Sequence, residues 1–371
     1  MVKRIAIDAL GIHRYGGGRS AILNLLDALF QIDRKNQYDL FLSQSETSLP
    51  NNEQVHQYIC PFRNRFLSRL WLQFIVPLCQ KKWNLIHFTK NLGVFGHSLP
   101  NIVTIHDMTT VLYPEIFPRF DVWYWRHIGK ITVQKAEMLI AVSHTTAQDI
   151  EKIYSISPDK IQVIHHGIDR NFHPKDLEAI QTTKRKYQIP DNYLLFVGHI
   201  DRKKNLPMLI HAFAKVTQTP AFNGKLVIVG EEYEKTREGT IYPLIRELDL
   251  VEDIILVGFV PDQDLPAIFS GATATLFSSY HEGFGLVALE AMACGSPLIA
   301  SDAGAIREVT GEASRIVSSN DSSHFAQAIL EVLENPTLQQ KMREEGLVRA
   351  STFSWEAAAQ KTLSLYEKYA R

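Results

Sequence analysis

Cysteine is scarce in this chain, and the three that occur, Cys60, Cys79 and Cys294, stand far apart with no CxxC pair and no zinc-type spacing. That pattern excludes a disulfide framework and a cysteine-built metal site, and it fits a reducing compartment. No run of 18 apolar residues occurs, so no transmembrane helix is expected. The opening Met1-Val2-Lys3-Arg4 leads only into a short apolar stretch, Ile5 to Leu10, which Asp8 interrupts. No signal peptide is read there, and a cytoplasmic location is expected. Charge of one sign is also lacking: 39 Lys and Arg stand against 40 Asp and Glu, a net charge of −1. Nothing in that balance draws the chain to nucleic acid, and no nucleic-acid partner is expected. Low-complexity tracts and short-period repeats are absent as well, and 45% hydrophobic with 21% charged residues is ordinary globular composition.

What is present is a recurring pattern of short apolar, often β-branched runs. In the first half these are Ile5–Ile7, Leu40–Leu42, Leu85–Phe88, Ile102–Ile105, Met138–Val142 and Ile161–Ile164. The second half contributes Leu194–Val197, Leu226–Val229, Ile254–Val257, Ala274–Phe277, Leu298–Ala300 and Arg315–Val317. Segments of helical periodicity, such as Ser20–Phe30 and Leu206–Val216, lie between most of them. Continuous apolar strands alternating with helices predict parallel sheets covered on both faces. About twelve strands exceed one compact sheet, so the 371 residues predict two doubly wound α/β domains. A boundary fits the polar segment that begins at Arg170-Asn171-Phe172-His173-Pro174. The halves differ in charge, with 20 basic and 16 acidic residues in 1–180 against 19 and 24 in the remainder. In open parallel sheets ligands bind at the carboxyl ends of the strands, so candidate chemistry is sought just after each run.

After the first run comes Gly11-Ile12-His13-Arg14-Tyr15-Gly16-Gly17-Gly18-Arg19, then an amphipathic helix. Glycines there let backbone approach a ligand, and the helix start offers N–H groups to an anion. A dinucleotide fingerprint fits poorly because the glycines begin eight residues after Asp8, and a Walker loop would need lysine where Arg19 stands. A plain flexible loop is the competing reading. After the fourth run of the first half, Ile102–Ile105, stands His106-Asp107, which reads either as a hydrogen-bonding pair facing a ligand or as a strand-edge residue with a cap. After Leu194–Val197 comes Gly198-His199-Ile200-Asp201-Arg202-Lys203-Lys204-Asn205. A charge run is usually a solvated face. Three cations between a strand-end glycine and a helix start suit a phosphate instead. Asp262-x-Asp264 has the form of a metal-holding pair, yet it precedes a helix with Pro266 in its first turn and reads as capping.

The most informative stretch follows Phe277: Ser278-Ser279-Tyr280-His281-Glu282-Gly283-Phe284-Gly285-Leu286, then Val287 to Cys294 with helical periodicity. Glycines open the backbone ahead of a helix whose first N–H groups, near residues 285–287, suit a diphosphate. Glu282 is placed for a reacting group, and Glu290, more than a turn into the helix, for a neutral polyol.

Glu282-x7-Glu290, with EGFG and LEAMACGSP around it, resembles the signature of the retaining GT-B glycosyltransferases of family 4. Tyr15-Gly16-Gly17-Gly18, Thr104-Ile105-His106-Asp107, Val197-Gly198…Lys203-Lys204-Asn205-Leu206 and Val163–Asp169 are similar to further pieces of that family, so the resemblance spans nearly the whole chain. It implies a GT-B fold of two Rossmann-like domains facing a central cleft. Residues 1–173 would form the acceptor-side domain, with a C-terminal helix at 355–371 packing back on it. Residues 174–354 would bind the nucleotide-sugar. The resemblance also implies roles. Glu282 and His106 would contact the transferred sugar, and Glu290 the ribose. Gly17, Gly18, Arg202, Lys203, Lys204, Phe284, Gly285 and Leu286 would surround the diphosphate, and Phe259 and Val260 would meet the base. Where many members carry arginine after the strand-end glycine this chain has His199, which leaves open which of Arg202, Lys203 and Lys204 neutralises the leaving phosphate.

The implied activity is hexosyl transfer from a nucleotide-sugar to a glycan or lipid-linked acceptor of the cell envelope, with no metal or other cofactor. GDP-mannose is the donor favoured by the IDALGIHRYGGGRSAI and VGHIDRKKNL blocks, and UDP-glucose and UDP-N-acetylglucosamine stay open. An epimerase of the same architecture is the competing class. Residues 61–82 interleave Arg63, Arg65 and Arg69 with Phe66, Leu70, Trp71 and Phe74. They read either as a peripheral membrane contact or as a helix packed on the sheet.

Overall fold

The computed structural model describes residues 2–12, 16–220, 222–231, 241–318 and 320–371, with the side chain of Arg65 also left aside. His13, Arg14 and Tyr15 of the glycine-rich loop lie outside the described residues. The chain divides into two compact units: Met1–Gly167 with Ser354–Arg371, and Ile168–Phe353.

In the first unit, apolar runs form β1 (Arg4–Asp8), β2 (Gln37–Leu42), β3 (Val55–Ile59), β4 (Leu85–Phe88), β5 (Asn101–Ile105), β6 (Met138–Ala141) and β7 (Ile161–Val163). They make one parallel sheet in the order β3-β2-β1-β4-β5-β6-β7. The strand β3 escapes a search for continuous apolar runs because it lies at the sheet edge, and only Val55 of its five residues is buried. Buried Phe41, Ile86, Phe88, Val103 and Leu139 form the core with Leu72 and Val76 of α2 (Arg65–Cys79). Asn64 begins α2 by accepting hydrogen bonds from the N–H groups of Phe66 and Leu67. The reading of residues 61–82 as a helix packed on the sheet describes one face of this segment. One face of α2 packs on the sheet, while Phe66, Leu67, Leu70, Phe74 and Leu78 form an exposed stripe.

α1 (Gly17–Ile32) follows β1 and lies beside the chain's last helix, Trp355–Tyr369. That helix starts on Ser354, whose hydroxyl accepts from the Ala357 N–H, and it buries Trp355, Ala358, Ala359, Leu363 and Tyr366. Its end is tied to the sheet, with the Arg371 N–H donating to the Asn84 carbonyl at 3.2 Å. At its start the chain approaches Gly167 so closely that a Cβ there would sit 2.1 Å from the Trp355 backbone nitrogen.

In the second unit, β8 (Tyr193–Val197), β9 (Lys225–Val229), β10 (Ile254–Gly258), β11 (Ala274–Phe277), β12 (Leu298–Ser301) and β13 (Ser314–Val317) form a parallel sheet in the order β10-β9-β8-β11-β12-β13. Phe196, Leu209, Phe213, Ile228, Leu276, Phe325 and Ile329 centre its core. Each sheet reverses its strand order once, between β1 and β4 and between β8 and β11. Adjacent connections leave on opposite sides there, and a crevice opens at the carboxyl ends of those strands.

Asp264 corrects one sequence expectation. It precedes the Leu265–Gly271 helix without capping it by its side chain. Its carboxylate instead accepts from Lys186 Nζ at 2.7 Å and the Tyr187 hydroxyl at 2.6 Å, tying down the end of the Leu177–Tyr187 helix. A charged partner outcompetes a local amide for the same oxygen.

Candidate active site

At the switch point of the second unit two loops meet. After β8 the chain turns at Gly198 and Asp201 starts a single 3-10 turn, Arg202–Lys204, by accepting from the Lys204 N–H at 3.1 Å. After β11 come Ser278 and Ser279, both buried. The loops are joined through their main chains. The Tyr280 N–H donates to the Lys203 carbonyl at 2.9 Å, and the Ser278 hydroxyl to the Lys204 carbonyl at 2.7 Å.

That join aims both lysines at one carboxylate. Lys203 Nζ lies 3.0 Å from Glu282 Oε2, and Lys204 Nζ lies 2.8 Å from Glu282 Oε1. The Ser279 hydroxyl donates to Oε1 at 2.9 Å. All three charged side chains are largely shielded, at 18%, 16% and 12% exposure, so the pairing is stronger than a surface contact. Arg202 is exposed.

Gly285 sits at φ +94°, where a Cβ would come within 2.4 Å of Ile306 Cδ1, and it starts the helix Leu286–Ala293. Phe284 is buried edge-on to Phe353. Glu290 lies on this helix, and its carboxyl is pushed up to about 8 by burial, then by the charges of Asp262 and Asp169, with Lys204 opposing. Glu290 therefore feels the same lysine that pairs with Glu282. At the end of β10, Gly258 has φ +77°, Phe259 is exposed and Val260 is buried.

Two contributors carry no role in the sequence reading, and Asp262, read there as a helix cap, has a different one. Ser279 lay inside the motif without a role. Gly304 has φ +61°, and a Cβ there would lie 2.4 Å from the Glu282 carbonyl oxygen. The neighbouring Ala305 N–H donates to that same carbonyl at 2.9 Å. Asp262 matters through its charge on Glu290. Only an unusual backbone angle at Gly304 marks it, and composition does not carry that signal.

The remaining sequence candidates belong to the first unit. Gly17 and Gly18 open α1 at the carboxyl end of β1. Lys90, just beyond β4, donates to the Gly11 carbonyl at 3.0 Å, and its Nζ would lie 3.4 Å from a Cβ on Gly18. A lone lysine after an apolar run gives no sequence signal, and adjacency of β1 and β4 is what brings it to the glycines. His106 follows β5. Its backbone N–H donates to Asn91 Oδ1 at 2.6 Å and its Nε2 to the Thr89 carbonyl at 2.7 Å. A carbonyl only accepts, so Nε2 carries the proton, and in the neutral ring Nδ1 is an acceptor. The ring lies 5.4 Å from that of His166, whose pKa burial holds well below the ordinary histidine value. Asp107 accepts from the Thr109 N–H at 3.0 Å, as a local cap does.

Two parallel-sheet Rossmann-like units, one with a paired-lysine crevice beside a helix start, define the GT-B class of glycosyltransferase fold. The Anabaena protein HepE in complex with UDP-glucose shares that fold over 99% of this chain and 100% of its own, with TM-score 0.81 and 20% identity. The family described as "Glycosyl transferases group 1" matches residues 179–349, and "Glycosyltransferase Family 4" matches residues 15–172. The chain belongs to this group 1, family 4 class of glycosyltransferases. The O-antigen chain mannosyltransferase B of Escherichia coli is 26% identical over 72% of this chain and 70% of its own length. A D-inositol 3-phosphate glycosyltransferase of a Nocardioides strain is 32% identical over 64% of this chain, which spans about half (54%) of that relative.

Proposed function

We propose that the protein is a retaining hexosyltransferase that moves mannose from GDP-mannose to a glycan or lipid-linked acceptor in cell-envelope polysaccharide synthesis. The observation that carries this reading is the convergence of Lys203 and Lys204 on Glu282 beside the Leu286–Ala293 helix start. The likeness to an O-antigen mannosyltransferase supports the choice of mannose.

In such a transfer the bond between the sugar's C1 and the diphosphate oxygen breaks, and C1 bonds to the acceptor oxygen. The acceptor's proton leaves to a phosphate oxygen. Negative charge grows on the diphosphate, where two ammonium groups and the N–H groups near Gly285 and Leu286 meet it without reorganising. Cations supplied in this way stand where other transferases use a divalent ion, so transfer should persist in excess chelator. Glu282 accepts hydrogen bonds from sugar hydroxyls, and in the first unit the Nδ1 of His106 is an acceptor of the kind a sugar hydroxyl suits. Glu290, carrying a proton near neutral pH, can both give and accept at the ribose. In the first unit Gly17 and Gly18 offer backbone N–H groups at the start of α1, and in the second Phe259 and Val260 border the base.

The test is a thermal-shift screen of GDP-mannose, UDP-glucose and UDP-N-acetylglucosamine, followed by transfer of labelled sugar to membrane lipid extract. GDP-mannose should stabilise the protein most, and Glu282→Ala should abolish transfer. Full transfer by Glu282→Ala would overturn the site assignment. A new sugar formed from donor alone would favour the epimerase.

The acceptor reading extends to the membrane. Residues 61–82 carry five Lys and Arg and no acidic residue. Phe66, Leu70, Phe74 and Leu78 recur every fourth position along the exposed face of α2, with Arg63 at one end and Lys81 and Lys82 at the other, also exposed. Apolar side chains bracketed by cations fit an anionic bilayer.

A further inference from the structure

Glu282 does not wait for substrate as a bare carboxylate. Both of its oxygens are held by lysine ammonium groups at 3.0 and 2.8 Å. Those are the two cations that a diphosphate would need. A diphosphate placed against them would meet a carboxylate of its own sign already in position, and like charges at such range repel strongly in a shielded site. We propose that Glu282 is an internal counter-anion that yields the two lysines to a sugar-bearing diphosphate and reclaims them once the sugar has been transferred. This deepens the nucleotide-sugar reading above and rests on it.

The surrounding geometry suits an exchange made by side chains alone. The main chain is fixed on both sides, through Tyr280 N–H to the Lys203 carbonyl, Ser278 to the Lys204 carbonyl, and Ala305 N–H to the Glu282 carbonyl. Lys203, Lys204 and Glu282 can therefore change partners by torsion without moving the loops. While a donor is bound, the displaced carboxylate keeps the Ser279 hydroxyl at Oε1 and gains the hydroxyls of the sugar. After transfer those sugar hydroxyls are gone. A buried carboxylate left short of partners is costly. The lysines are its nearest remedy, and taking them back weakens the hold on the nucleoside diphosphate. Glu282 thus favours donor over spent nucleotide and speeds release.

The test compares the wild type, Glu282→Gln and Glu282→Asp by isothermal titration with GDP, UDP and GDP-mannose. Glu282→Gln removes the competing charge and should bind the preferred nucleoside diphosphate roughly tenfold more tightly. Its preference for GDP-mannose over GDP should shrink, because the amide accepts sugar hydroxyls poorly. Glu282→Asp keeps the charge on a shorter arm that reaches only one lysine, and should fall between the two. A Gln variant that binds GDP and UDP no tighter than the wild type would overturn the inference. Should that variant fail to fold, an Asp variant with unchanged nucleotide affinity would overturn it equally. Wild-type protein that binds neither nucleotide would instead remove the donor reading on which the inference stands.

Discussion

Glu290 shows how one side chain's surroundings set its chemistry. Burial and two neighbouring carboxylates push it up to about 8, far above an exposed glutamate. The folded protein holds this proton more firmly than the unfolded chain does. Stability therefore falls as pH rises from the unfolded value, about 4.5, through the folded value. Glu290→Gln has no charge to form, so its melting temperature should gain on the wild type between pH 5 and pH 8. A gap that stays constant over that range would contradict the assignment. Gly304 is a second residue whose importance is geometric. Its left-handed angle and its closeness to the Glu282 carbonyl leave no room for a methyl group. Gly304→Ala should displace the loop and lower both transfer and melting temperature, whereas Gly18→Ala, whose Cβ meets only the flexible end of Lys90, should leave the melting temperature nearly unchanged.

Among the elements, the C-terminal helix is held to the first sheet by a buried polar chain. His87 on β4 bonds the Tyr366 hydroxyl at 2.6 Å through Nδ1 and the Thr104 hydroxyl at 2.8 Å through Nε2. Burial holds its pKa down near 3, with His106 adding to the effect. The neutral ring's contribution is present above about 6.5 and is lost as pH falls toward 3, because the unfolded chain takes up the proton first. Tyr366→Phe leaves one ring nitrogen of His87 without its partner and should cost about 1–3 kcal/mol in denaturant unfolding. An unchanged midpoint would show that the chain bears no load. α2 poses a different question, since its packed face and its exposed stripe serve separate ends. Replacing Phe66, Phe74 and Leu78 together by serine should abolish sedimentation with anionic vesicles while keeping soluble activity. Equal sedimentation would assign the stripe to something other than lipid. Much of this scale was legible beforehand: all twelve apolar runs became strands, since the strands of a parallel sheet with helices on both faces are largely apolar. The strand β3, with one buried residue and no continuous apolar run, and the ion-paired Asp264 were not, because a mostly polar strand and a distant partner leave no local pattern.

At the scale of the whole molecule the two units differ in how the chain builds them. The second is one continuous segment, Ile168–Phe353, while the first is completed only when Ser354–Arg371 returns to it. A chain ending at residue 353 should therefore keep a cooperative transition for the second unit and lose the one for the first, whose α1 and sheet would be left without Trp355, Leu363 and Tyr366. Two intact transitions in calorimetry of that truncation would show the last helix to be dispensable. Gly167→Ala probes the same return at one atom, through its Cβ at 2.1 Å from the Trp355 nitrogen, and should destabilise the first unit severely.

By itself the sequence determined which segments become strands and which loops carry charge or glycine, because burial demands apolar runs and tight backbone demands glycine wherever they occur along the chain. Strand order was decided only in three dimensions. Residues 203–204 and 282 are nearly eighty positions apart, and they meet because β8 and β11 are neighbours at a point where the sheet reverses its order. No local pattern encodes that adjacency, which is the net result of packing every helix against both faces of one twisted sheet.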